Sequence, residues 1–247
     1  MDKDPLVRTV DPKSMRLQLE RRGLGRIQGH PLWQEAAERM RERLSYIRLE
    51  DGPVLQHGLA DYGQSIDIAP ASLQRIESMG LLAALADARG TLAYWARSLK
   101  PGGLLMFVTL GPDSFRSLAL ALGDTQQRVH VAGYPDMHHL GDALVGLGMT
   151  NPVMDAEWVD LTYSTAESAL NDLRMLGGNP LVGRRQGLSG RAWKKKVLAA
   201  LESLRSRDSI RIRIELVFGH AWAALPKSDH QPVAWHPRPP KNAAGSI

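Results

Sequence analysis

Seven consecutive residues, Leu104-Leu105-Met106-Phe107-Val108-Thr109-Leu110, follow a Pro101-Gly102-Gly103 turn, and all but Thr109 are apolar. A run without alternation has no wet face, so it suits a parallel strand covered by helices on both sides. That requirement selects an α/β sheet, and the rest of the chain supplies the matching pieces. Asp51-Gly52-Pro53 breaks the chain, and Val54-Leu55 opens a short buried strand. From Ala71 to Leu99 apolar residues recur with helical spacing, and Gly80 and Gly90 mark breaks between short helices.

Upstream, Pro31 to Leu44 places Leu32, Ala36, Met40 and Leu44 about four apart with charges between them, and Pro31 suits a first helical turn. This predicts an amphipathic helix on the core. Residues 1–30 are charged and glycine-rich with no clear apolar period, which predicts a flexible, extended arm. Downstream, Asp136–Leu147 and Ala166–Met175 read as helices, Val159–Tyr163 as a strand, and Trp193–Leu204 as a further helix. Ile210 to Phe218 alternates apolar and charged residues, the pattern of a strand with one wet face at or near a sheet edge. Residues 226–247 carry five prolines and little apolar content, which predicts a disordered tail behind a domain spanning 31–225.

At 247 residues the chain can bury one good core. Its net charge of +5 favours an acidic partner, and the excess sits in local clusters. With no cysteine there is no disulfide scaffold, thiolate metal site or cysteine nucleophile, in keeping with a reducing cytoplasm. The first residues lack the apolar core of a signal peptide, and no apolar run approaches the ~20 residues that span a bilayer. A soluble protein with no membrane contact is expected.

Six strings in order carry a resemblance: RERLSYIRLE, LKPGGLLMFVTLGPDSF, DMHHLGDALVGLGMTNPVMDAEWVDLTY, DLRMLGGNP, GRRQGLSGR and VFGHAW. With them, from about Met40 to Trp222, the chain resembles the malonyl-acyl carrier protein O-methyltransferases of biotin synthesis and the related methyltransferase-like assembly factor of respiratory complex I. The resemblance implies a Rossmann-like class I methyltransferase sheet with helical additions, S-adenosylmethionine as cofactor and an acyl carrier protein as partner.

Against that pattern the cofactor half is degenerate and shortened. The family's first strand ends in an acidic residue and a run of spaced glycines, which let the backbone approach the methyl donor. Here the acidic position is Gln56, the first glycine is Gly58, and the next two are Ala60 and Tyr62. Only 44 positions separate Gln56 from Lys100, too few for three further strands with their helices at roughly 30 residues per strand-helix-strand unit. Ser65-Ile66-Asp67-Ile68-Ala69 is a remnant of either the second or the fourth strand, and the helix and turn behind it favour the fourth. Asp67 is a ribose ligand if the segment is the second strand; if it is the fourth, the ribose and adenine pocket is absent and Asp67 is a solvated or capping carboxylate.

Arg184, Arg185, Arg191 and Lys194 lie where the resemblance implies a cationic surface for the carrier protein, the alternative being a solvated basic face. No catalytic residue stands out. His130, His138 and His139 lack metal spacing, so no metal is expected. His220 and Trp222 suit packing at an edge strand, and the scarcity of aromatic residues argues against nucleic acid. Two functions follow: a pseudoenzyme or partner-binding subunit without S-adenosylmethionine, or an active O-methyltransferase acting on a malonyl carrier protein. A shortened sheet also leaves an open strand edge, which favours a homodimer or a complex with a true methyltransferase.

Overall fold

The structure is a computed structural model and describes residues 4–23, 26–27, 29–126, 130–176, 180–184 and 190–226. A mixed sheet forms its middle layer, in the order β1-β2-β3-β6-β4. β1 (Val54–Gln56), β2 (Leu73–Met79) and β3 (Leu99–Leu110) run parallel. β6 (Ser209–Ala223) lies antiparallel between β3 and β4 (Met149–Tyr163), and the two-residue β5 (Arg205–Ser206) pairs with β6. This is an α/β Rossmann-like sheet whose parallel part ends at β1.

The apolar run from Leu104 is the sheet's centre, as expected. Met106, Val108 and Leu110 point to one face and Leu105 and Phe107 to the other, all at 0–3% exposure, because neighbouring strand residues alternate in direction. On the first face pack α1 (Pro12–Arg22), α2 (Pro31–Ser45), α5 (Arg116–Ala121), α7 (Ala166–Met175) and α8 (Arg191–Glu202). The second face holds α3 (Leu81–Ala84), α4 (Ala88–Ser98) and α6 (Met137–Gly146).

Several expectations are corrected here. The stretch before Gly80 is strand, not helix: Leu73, Ile76 and Met79 are spaced three apart, yet each neighbour of this segment is a strand that completes its backbone hydrogen bonds. β2, and not Ser65–Ala69, is therefore the strand that precedes the helix and the KPGG turn; residues 65–69 form a loop. The N-terminal residues are not an extended arm. Leu6 and Val10 are buried at 0% and 4% exposure, and Asp11 caps α1 with Oδ1 accepting from Lys13 N. β1 is also more exposed than a buried strand, with Val54 at 43%, because its outer edge has no strand beside it among the described residues. The wet-faced strand β6 lies one strand in from the edge strand β4, near the sheet edge as its alternation implies, with its exposed Arg213 paired across to Asp160 on β4 at 2.9 Å. Residues 227–247, where a disordered tail is predicted, lie outside the described residues. No helix among those described is long and apolar enough to cross a membrane.

Candidate functional site

In open α/β sheets the ligand crevice lies beyond the carboxyl ends of the parallel strands. Here a small cavity, partly open to solvent, occupies that place. Leu59 beyond β1, Gly80 beyond β2 and Leu110 at the end of β3 line it, together with Trp33, Ala83 and Tyr134. Gly80 is required on two counts. Its φ is +73°, and a Cβ there would sit 2.9 Å from the Trp33 ring. A second small space lies beneath Gly58, between Ile27, Trp33, Leu59 and Met79.

Residues 4–11 cross the mouth of this crevice as a strap. Arg8 N donates to Ala86 O at 2.8 Å and Ala88 N to Leu6 O at 3.3 Å on one side. On the other, Val182 N donates to Thr9 O and Asp11 N to Pro180 O, both at 2.9 Å. The strap thereby carries Arg8 into the cavity wall. Arg8 Nη1 donates to Ala83 O, and its guanidinium lies 4.7 Å from the centre of the Tyr134 ring. Its Nε and Nη2 are closed off from solvent and have no hydrogen-bond partner. Burial pulls the Arg8 guanidinium below the ordinary arginine value and pushes the Tyr134 phenol up. Trp33, in the same wall, also has a buried Nε1 without a partner.

The loop after β1 is closed upon itself. His57 N donates to Glu77 O, and Asp61 Oδ2 accepts from Gly58 N at 2.9 Å across a single 3₁₀ turn, Leu59–Asp61. Trp95 Nε1 donates to His57 Nδ1 at 3.0 Å, and burial lowers the histidine's proton affinity, so the ring is the neutral Nε2–H tautomer. Tyr62 donates its hydroxyl to Pro12 O at 3.4 Å, which docks the loop onto α1. At Gly63, φ is +78° and the Arg16 guanidinium stands where a Cβ would project, at 2.7 Å.

Of the predicted cofactor residues, Gly58 lines the smaller space, where its missing Cβ is explained by Met79 O at 3.2 Å. Asp67 is exposed, in a loop held by Tyr94, whose hydroxyl donates to Ile66 O and accepts from Ile68 N. Neither cavity is lined by it, so the structure does not bring the two residues together. S-adenosylmethionine bound in the family's manner needs a glycine cradle and a carboxylate on a strand beside β1. Among the described residues no strand occupies that edge, Asp61 serves its own turn, and α1 covers the loop. The residues present do not fit that mode.

The predicted cationic surface divides. Arg191, Lys194, Lys195 and Lys196 are exposed on the first turns of α8, with Lys196 Nζ donating to Leu122 O at 3.2 Å. Arg184 is turned instead toward the strap, donating to Leu181 O at 3.1 Å and lying 3.7 Å from Asp11. Arg185 lies outside the described residues. Among the histidines, His130 packs on Trp193 at 4.6 Å between ring centres, and His138 Nδ1 lies 2.6 Å from Asp136. No group of residues among those described could hold a metal ion. His220 meets Trp222 edge to face at 5.0 Å on β6. Sequence reasoning missed Arg8, Trp33 and Tyr134, and a lone arginine in a polar segment carries no local signal of its destination.

The parallel half sheet, the antiparallel β6 and β4, and a crevice at the strand ends define a Rossmann-like α/β protein of the class I methyltransferase type. No family model matches the chain. Among curated proteins it is 32% identical to the malonyl-[acyl-carrier protein] O-methyltransferase of Gallionella capsiferriformans, over 91% of this chain and 95% of that one. It is 34% identical to the protein of that name from Methylovorus, over 84% and 88%. The chain belongs to the malonyl-acyl carrier protein O-methyltransferase family. The Gallionella alignment runs over 276 positions while 91% of 247 residues is about 225, so about 50 positions have no counterpart here. Among solved structures, a SAM-dependent methyltransferase from Thermotoga maritima superposes with a TM-score of 0.45 at 12% identity, over 85% of this chain and 99% of that one.

Proposed function

We propose that this protein is a methyltransferase-family member that has lost S-adenosylmethionine binding and acts by binding, as a pseudoenzyme or as a subunit beside an active methyltransferase. The observation that carries this reading is the loop Gln56–Gly63, packed onto α1 at a sheet edge where the family pattern calls for two more strands. The positions without counterpart in the Gallionella alignment amount to the right size, since each strand-helix-strand unit takes roughly 30 residues. Without that half, no strand among the described residues places a carboxylate beside β1 to receive the ribose of the donor.

The binding partner in this reading is an acyl carrier protein or another acidic protein, met by Arg191 and Lys194 on the exposed face of α8. A second copy of the chain, or a true methyltransferase, pairs with the open edge of the sheet. Calorimetric titration with S-adenosylmethionine, checked with S-adenosylhomocysteine, tests the reading. No heat at millimolar ligand is the expected result. Binding at micromolar strength overturns it and restores the alternative, an active O-methyltransferase on a malonyl carrier protein or a similar carboxylate.

A further inference from the structure

We infer that the outer edge of β4 pairs with the same edge of a second copy of this chain, antiparallel about a twofold axis at Trp158, so that the sheet runs on from one molecule into the next. β4 is the last strand of the sheet, and no strand lies beyond it among the described residues. It is 15 residues long, against three for β1. An edge of that length presents a row of N–H and C=O groups as a template for another strand. The bulge between Thr150 and Val153 holds Pro152, which has no N–H, and ends the regular ladder on that side. Residues 153–163 then run in unbroken register with β6. Two large apolar side chains stand exposed on this stretch, Val153 at 50% and Trp158 at 52%.

Charge selects both the occupant and the register. β4 carries Asp155, Glu157 and Asp160 and no cation of its own. Its carboxylates are already met within the chain, Asp155 and Glu157 by Arg43 and Arg39 of α2 and Asp160 by Arg213 and Arg211 of β6, so the edge makes no demand for a basic partner. Around a twofold normal to the sheet, each residue faces its mirror position on the same side, and like charges directly opposite are destabilising. An axis at Asp155, Ala156, Glu157 or Asp160 sets carboxylate against carboxylate. An axis at Val159 avoids that but faces Asp160 with Trp158 and leaves Val153 and Met154 unpaired. An axis at Trp158 uses all of residues 153–163 with no acidic pair: Trp158 meets Trp158, Val153 meets Tyr163, and Asp160 meets Ala156. Both exposed apolar side chains are covered in that one register. Pairing here is independent of what meets β1 and of whether the methyl donor is lost.

The experiment is sedimentation equilibrium of the full chain and of its Trp158→Lys variant, joined to thiol cross-linking. The wild-type protein is expected as a dimer of about 54 kDa at micromolar concentration, twice its 27.2 kDa. Trp158→Lys sets two ammonium groups face to face at the axis and is expected to weaken the dimer more than about tenfold, with an unchanged melting temperature of the monomer. Because the chain has no cysteine, Trp158→Cys carries a single thiol. Facing Cβ atoms in such a pair lie about 4.5–5.5 Å apart, so oxidised glutathione or a short bifunctional maleimide is expected to join two Trp158→Cys chains. Ala156→Cys mixed with Asp160→Cys is expected to join one chain of each kind, which fixes the register. Val54→Cys, on β1, is expected to stay single. A wild-type monomer, a dimer that Trp158→Lys leaves intact, or a cross-link at Val54→Cys and none at Trp158→Cys overturns the inference. If Trp158→Lys does not fold, the thiol result decides by itself.

Discussion

Gly80 joins β2 to the crevice, and at that residue backbone conformation and packing make the same demand. With φ at +73° and the Trp33 ring 2.9 Å from an added Cβ, Gly80→Ala meets both a left-handed backbone penalty of about 1–2 kcal/mol and a clash. A loss of at least that size in a denaturant titration is expected, and an unchanged midpoint would show that the Trp33 ring gives way freely. Glu215 is a second residue whose behaviour follows from burial. It is 7% exposed on β6, its Oε2 accepts from Asp113 N at 2.8 Å, and burial pushes its carboxyl above the ordinary value. A raised carboxyl contributes stability that is full below the unfolded value, about 4.3, and is lost as pH rises through the folded one. Glu215→Gln, which can still accept from Asp113 N, is therefore expected to gain stability relative to wild type between about pH 4 and pH 7. A constant difference across that range would exclude titration of this carboxyl. Neither residue was singled out from the sequence: Gly80 was read as a helix break, and Glu215 as one charge in an alternating strand.

Single elements show where local pattern and tertiary context part company. β2 carries Arg75 and Glu77 two residues apart on one face, where they pair at 2.6 Å, and Ile76 buried on the other at 0% exposure. An ion pair within a strand face shelters polar residues that sequence spacing assigns to the wet side of a helix. α2, α6 and α7 were legible within about two residues, because amphipathic spacing and their caps agree; Thr165 accepts from Ser168 N at 3.1 Å, and Asp136 from His138 N at 2.8 Å. The strap was not legible, since its two buried side chains belong to separate sides of the sheet and make no period. Leu6→Ala is expected to cost ~2–5 kcal/mol, the range for a leucine in a packed core. A loss under ~0.5 kcal/mol, as at an ordinary surface position, would restore the flexible arm.

For the whole molecule, the proposed contacts with other proteins rest on the outer edge of β1, which has no strand beside it among the described residues, and on the basic face of α8. At micromolar concentration, sedimentation is expected to give a dimer, and a monomer there would remove the edge of the sheet as a pairing site. Binding of an acidic carrier protein to the α8 face is expected to weaken as salt rises and to slow in association when Arg191 and Lys194 are both changed to glutamate. An unchanged rate would move the partner elsewhere. The amino-acid sequence by itself determined the sheet's central strand, the amphipathic helices and the family, because uninterrupted apolar runs, helical spacing and ordered motifs are local properties that survive in any context. Only the tertiary structure decided that residues 73–79 are strand, that the first residues cross the crevice, and that Arg8 enters its wall with two donors unpaired. Those outcomes depend on which distant segments complete a hydrogen bond or close a surface, and no window of the chain contains both partners.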